Sequence, residues 1–169
     1  MQWVVGAWEN ITQGSIVSGV DCGRGEENPV VSIVLSNACD FEHDKLSFLI
    51  VAALVPAKET LMSTKEYKGK VESANEEGGL TKKAWESFVN YLTNFIHNSN
   101  VGRYFFFDPN PVIDAPLLLV DFQQLRSLDV DELDDLINEG QLDHPHVEKM
   151  MAHFVGYTGR VPTDRADSP

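Results

Sequence analysis

The chain has 169 residues, 43% of them hydrophobic and 9% aromatic, which is enough apolar material for one domain to bury a core without disulfide or metal support. Its 26 acidic and 13 basic residues give a net charge of -13, which argues against nucleic acid as a partner. No run approaches the roughly 18 uninterrupted apolar residues of a membrane-crossing helix, and the opening MQWVVGAWENITQG lacks the basic start and apolar centre of a signal peptide. A cytoplasmic protein away from membranes is therefore expected, with Cys22 and Cys39 reduced.

In chain order, Gly14 opens a short β-like run over 15–20, and the turn-rich DCGRGEEN follows at 21–28. Residues 30–36 (VVSIVLS) and 47–54 (SFLIVAAL) are short apolar runs between polar turns, the pattern of strands covered on both faces. The polar stretch 37–45 between them is short enough for a hairpin, so antiparallel pairing is expected. Residues 58–79 are charged and poor in large apolar side chains, which reads as a mobile surface insertion.

The strongest periodic signal follows. Trp85, Phe88, Val89, Leu92, Phe95 and Ile96 recur at helical spacing and predict a helix over about 82–97 with Thr81 as N-cap. Residues 103–107 (RYFFF) predict a strand whose four aromatics face both sides, one side in the core and the other packed under that helix or in a dimer contact. Residues 117–122 and 125–128 predict one further, bent strand. A short helix is expected over 131–138, ended by Gly140, and a last helix from Pro145, with Val147, Met150, Met151, Phe154 and Val155 on its apolar side. The segment 162–169 reads as a disordered tail. Tight strand connections and unalternated helices make the fold class α+β in a single domain over 1–161, with a helical insertion at about 58–98.

Several segments, in this order, resemble the MazF/PemK-like family of toxin ribonucleases. GSIV at 14–17 is similar to the family's opening strand, PVVSIVLS at 29–36 to its second, FLIVAALVP at 48–56 to its third, and VDFQQLRSLD at 120–129 to a later strand, with the helical region 136–155 behind it. The resemblance covers about half the chain. It implies a small antiparallel SH3-like β-barrel, here carrying an inserted long helix and C-terminal helices. It also implies a bacterial toxin-antitoxin setting and a homodimer through the barrel. The turn SNACD at 36–40 is similar to a motif of bacterial proteins encoded beside defence-type genes, which adds a phage-defence setting. The family's catalytic Arg stands before the proline where this chain has Asn28, and Val55-Pro56-Ala57 occupies the place of its catalytic Thr.

Four groups of residues are candidates for function. Arg24 and Thr60 are the only nearby replacements for the missing pair, and they define a metal-independent endoribonuclease as one alternative. Cys39 and His43 form half of a zinc or thiol site, a second alternative. No partner pair with metal-ligand spacing accompanies them, and a partly buried Cys39 beside a capping Asp40 is the favoured account. Asp121, Gln123, Arg126 and Asp129 alternate with apolar positions and offer a polar strand face for binding, which the solvent side of an antiparallel strand would also produce. The segment 108–169 holds 13 acidic and four basic residues, either a solvated face or a surface for a basic partner. No cofactor motif is present and no cofactor is expected. The leading expectation is a non-catalytic module that binds another protein.

Overall fold

A computed structural model describes residues 3–7, 9–20, 30–37, 47–76, 81–100 and 102–159. The strands are β1 (Val4–Val5), β2 (Ser15–Val20), β3 (Val30–Val34), β4 (Phe48–Pro56), β5 (Tyr104–Phe107), β6 (Leu118–Asp129) and β7 (Ile137–Leu142). The helices are α1 (Ala57–Ser63), α2 (Lys65–Glu76), α3 (Lys82–Ile96) and α4 (His146–Thr158), with a 3-10 helix at Val130–Asp135. The seven strands form one sheet in the order β1-β7-β2-β3-β4-β6-β5, and each neighbouring pair is antiparallel. β1 and β5 are its two ends, so among the described residues the ladder does not close on itself. The class is α+β, as expected.

The continuous apolar runs are buried on both faces, also as expected. Along β4, Leu49 and Val51 enter one core while Ala52 and Leu54 enter the other, the period-two alternation of a strand. The larger core joins Ile16, Ile33, Phe105, Phe107, Val120 and Leu142 to Val147 and Met150 of α4. The opposite core joins Val17, Val34 and Leu128 to Leu133 and Leu136 at the 3-10 helix. A buried polar knot ties β2 to β7: the Ser15 hydroxyl donates to Gln141 Oε1 at 2.9 Å, and Gln141 Nε2 donates to the Gln13 carbonyl at 2.7 Å. Gly14 enters β2 with φ +84°, and a Cβ there would stand 2.8 Å from Val147 Cγ2, so the turn and the approach of α4 both require glycine.

Three expectations are corrected. Within the helical insertion, residues 58–76, read as a charged surface segment without elements of its own, form α1 and α2 on either side of an extended Thr64, and their Lys, Glu, Ala and Met residues have good intrinsic helix propensity. The helix expected over 131–138 stops at Asp135, and residues 137–142 form β7 between β1 and β2. There Gly140 does not cap a helix. It lets β1 pass close, since a Cβ would meet Val4 Cγ1 at 3.0 Å and the Val5 carbonyl oxygen at 3.2 Å. β1 itself, two residues long, was not anticipated. By contrast α3 begins as its sequence predicts: the Thr81 hydroxyl accepts from the Ala84 N–H at 3.2 Å.

Candidate functional site

β6 breaks register against β4. Ala52 faces Leu125 while Ala53 faces Asp121, so Phe122, Gln123 and Gln124 form a bulge without partners on β4. A bulge re-aims side chains and frees backbone donors. Phe122 turns into the main core, and its N–H bonds the Arg103 carbonyl at 3.0 Å. Asp121, only 1% exposed, accepts from the Gln123 N–H at 3.0 Å and from Gln124 Nε2 at 2.8 Å.

Arg103, just ahead of β5, completes this arrangement. Its Nε donates to Asp121 Oδ1 at 2.6 Å and its Nη2 to Oδ2 at 2.5 Å, the two-pronged geometry that a guanidinium offers a carboxylate. Burial pushes the Asp121 carboxyl up, but the hydrogen bonds from Arg103, Gln124 and Gln123 outweigh it and hold the group below the usual carboxylate range. The Asp121 hydrogen bond in turn raises the Arg103 guanidinium. The guanidinium lies 4.8 Å from the centre of the Tyr104 ring. Burial raises the Tyr104 hydroxyl. Arg103 remains 39% exposed, and its Nη1 has no hydrogen-bond partner among the described residues.

From there the Arg103 side chain borders a cleft of about 620 Å³. The start of α2 forms one wall, with Thr64, Lys65 and Glu66. The end of α3 and the turn after it form another, with Tyr91, Asn94, Phe95, Asn98 and Asn100, and Ser63, Gly102, Arg103 and Tyr104 line the remainder. Two side chains hold these walls. Asn98, in the left-handed region at φ 52°, clasps the backbone of Phe106 at both ends, at 2.6 and 2.8 Å. His153 of α4 accepts from the Gly102 N–H at 2.9 Å through Nε2, with the rings of Phe105 and Phe122 beside it.

A second feature lies along α3, where no residue is buried. Phe88 meets the Tyr67 ring edge-on at 5.6 Å, and Phe95 packs against the cluster of Ala57, Phe106 and Leu119. Trp85, Val89 and Ile96, on the adjoining strip of the same helix, are 52%, 38% and 43% exposed. The apolar stripe is wider than the surface the other described residues cover.

The residues singled out in the sequence fare differently. Arg24, Cys39 and His43 lie outside the described residues, as do Cys22 and the segment 162–169. Thr60 is half-buried in α1, where its carbonyl accepts from the Ser63 hydroxyl at 2.6 Å. Asp121, Gln123, Arg126 and Asp129 do not share one face. Asp121 points inward, exposed Gln123 donates through Nε2 to the Tyr157 hydroxyl at 2.8 Å, and Asp129 caps the 3-10 helix. Arg126 makes no ion pair among the described residues. Arg103 was read only as the start of a strand. Its signal was weak, since the aspartate it meets is 18 residues away and reaches it only through the bulge.

His146 is 5% exposed and stacks on Trp3 at 4.1 Å; its Nδ1 is buried without a partner among the described residues. Burial lowers its pKa, which suits a packing role. Among the described residues, no group of three or more His, Cys, Asp or Glu side chains could hold a metal ion, and no helix is long and apolar enough to cross a membrane.

The fold and these two features define an α+β protein with an open antiparallel sheet and a helical arm bearing an uncovered apolar strip. No protein-family model and no curated protein matches the chain.

Proposed function

We propose that the protein is a non-catalytic binding module, a divergent relative of the SH3-like barrels, that docks a basic amphipathic helix of a partner protein on α3. The observation that carries the reading is the uncovered strip of Trp85, Val89 and Ile96 on a helix without one buried residue. Apolar side chains at helical spacing suit a helix-on-helix contact, and an exposed Trp is the residue type that most often anchors such interfaces.

The charge distribution selects the partner. Six lysines and six glutamates balance over residues 57–96, so the remaining seven basic and twenty acidic residues carry the whole net charge of -13. A cationic helix is drawn by the acidic residues outside the arm, while the arm itself carries no net charge to oppose that pull. The sequence resemblance is the ground for proposing a toxin-antitoxin or phage-defence setting, and Asn28 and Val55-Pro56-Ala57 in place of the family's catalytic Arg and Thr motivate the non-catalytic reading.

The test uses a synthetic amphipathic helix with leucines on one face and lysines on the other, titrated against the full chain. Binding is expected to blue-shift tryptophan fluorescence, weaken with salt, and fall at least about tenfold in a Trp85→Ser/Val89→Ser variant. A peptide with glutamates in place of the lysines should not bind. Equal binding by the variant overturns the reading. A dimer of the chain alone that the variant dissociates assigns the strip to a second copy and overturns it equally.

A further inference from the structure

The cleft beside Arg103 belongs to neither the apolar strip nor the core, and its chemistry differs from that of the rest of the molecule. Acidic residues outnumber basic ones two to one in the chain, yet the charged side chains lining the cleft are Lys65 and Arg103 against Glu66 alone. Arg103 is also pre-oriented. Asp121 takes its Nε and one side of Nη2, and that carboxylate is itself fixed by Gln123 and Gln124. The Arg103–Asp121 pair is neutral overall, so it presents the positive end of a fixed dipole rather than a net charge. Such an end recognises a ligand by direction, and Lys65 supplies the unbalanced charge.

The other linings narrow the ligand further. The side-chain amides of Asn94 and Asn100 make no hydrogen bond among the described residues, and each offers one acceptor and two donors. Tyr91, Phe95 and Tyr104 supply aromatic surface. The volume, about 620 Å³, holds a ligand of a few hundred daltons rather than a folded element. A phosphate ester or other multiply charged anion matches poorly, because Glu66 lines the cleft and the whole chain is strongly negative. A single carboxylate matches well.

We infer that this cleft binds a carboxylate carried on a short amide-bearing apolar stem, the chemistry shared by the C-terminus of a peptide chain and a free N-acyl amino acid. The carboxylate meets Arg103 Nη1 and Lys65, the amide meets Asn94 or Asn100, and the apolar side chain lies against Tyr91 and Phe95. The inference does not depend on α3 docking a helix.

The experiment titrates the full chain with a fluorescently labelled Gly-Ala-Leu-Phe peptide bearing a free carboxylate, with the same peptide as its C-terminal amide, and with N-acetylphenylalanine as competitor. The free acid should bind at least about tenfold more tightly than the amide. Asn94→Asp, an exposed change that sets a second carboxylate on the wall, should weaken the free acid about tenfold and the amide by less, so that the preference for the acid shrinks. Arg103→Lys, which keeps the charge but loses the planar fork, should erase most of the preference for acid over amide. Trp85→Ser should change none of these, which separates this site from the helix-docking strip. Competition by N-acetylphenylalanine at a matching affinity assigns the site to small acids, and binding by the peptide alone assigns it to chain ends; both support a carboxylate site. Equal affinity for acid and amide, no binding of any probe, or a preference untouched by both Asn94→Asp and Arg103→Lys overturns it.

Discussion

Among single residues, Asp121 carries the largest electrostatic stake. A carboxylate 1% exposed is tolerable only because Arg103, Gln124 and the Gln123 N–H satisfy it. Breaking a buried pair by removing one partner costs about 3–5 kcal/mol. Arg103 is 39% exposed, so water can screen part of the loss, and Arg103→Met should cost about 2–3 kcal/mol. Arg103→Met/Asp121→Leu should recover most of that, because no buried charge is then left alone. Urea unfolding at neutral pH measures both, and a single variant as stable as the wild type would refute this account. The pH dependence has a defined sign. The Asp121 carboxyl is depressed in the folded state, so its contribution is complete above its ordinary value of 3.8 and is lost as pH falls through the lower folded value. The gap in stability between wild type and the double variant should therefore narrow below pH 3.8 and not above it.

At the scale of elements, burial divides the molecule. β4 lies inside the sheet with Leu49, Val51 and Ala52 fully buried, whereas α3 has no buried residue and the only buried residue of α1 is Ala57. Local opening free energy follows buried apolar contact, so the arm is the low-stability end of the structure. Hydrogen exchange should show amides of α2 and α3 exchanging through local opening at rates insensitive to mild urea, while those of β4 and β6 exchange only with global unfolding. Uniform protection across arm and sheet would contradict this division. The same division explains what could be read from sequence. α3 was legible because its signals are local: a repeating apolar spacing and a Thr81 cap. β4 was legible because a strand buried on both faces is continuously apolar. β7 was not, since Ile-Asn-Glu-Gly-Gln-Leu has only weak alternation and is a strand only because β1 and β2 flank it. The Arg103–Asp121 pair was equally hidden, because alternation along 121–129 assumes an unbroken strand and the bulge breaks it.

For the whole molecule, the uneven distribution of charge sets the response to salt. Residues outside 57–96 carry the full -13 while the arm is neutral, so self-repulsion on folding acts on that part of the chain rather than on α1–α3. The exposed ion pair Lys82–Glu86 at 3.9 Å does little to change this, since surface pairs contribute about 0–1 kcal/mol. The Debye length shrinks from about 30 Å at 0.01 M to about 8 Å at 0.15 M, so added salt removes repulsion between exposed carboxylates while screening the partly buried Arg103–Asp121 pair much less. Raising sodium chloride over that range at pH 7 should therefore raise the melting temperature by a few degrees, as a stabilisation of about 1 kcal/mol would in a domain of this size. The effect should fade near pH 4.6, where net charge approaches zero. A melting temperature that falls with salt at pH 7 would mean that attractive surface pairs outweigh repulsion. That result would also remove the charge argument for a cationic partner, because the acidic body could then no longer be treated as an unbalanced field.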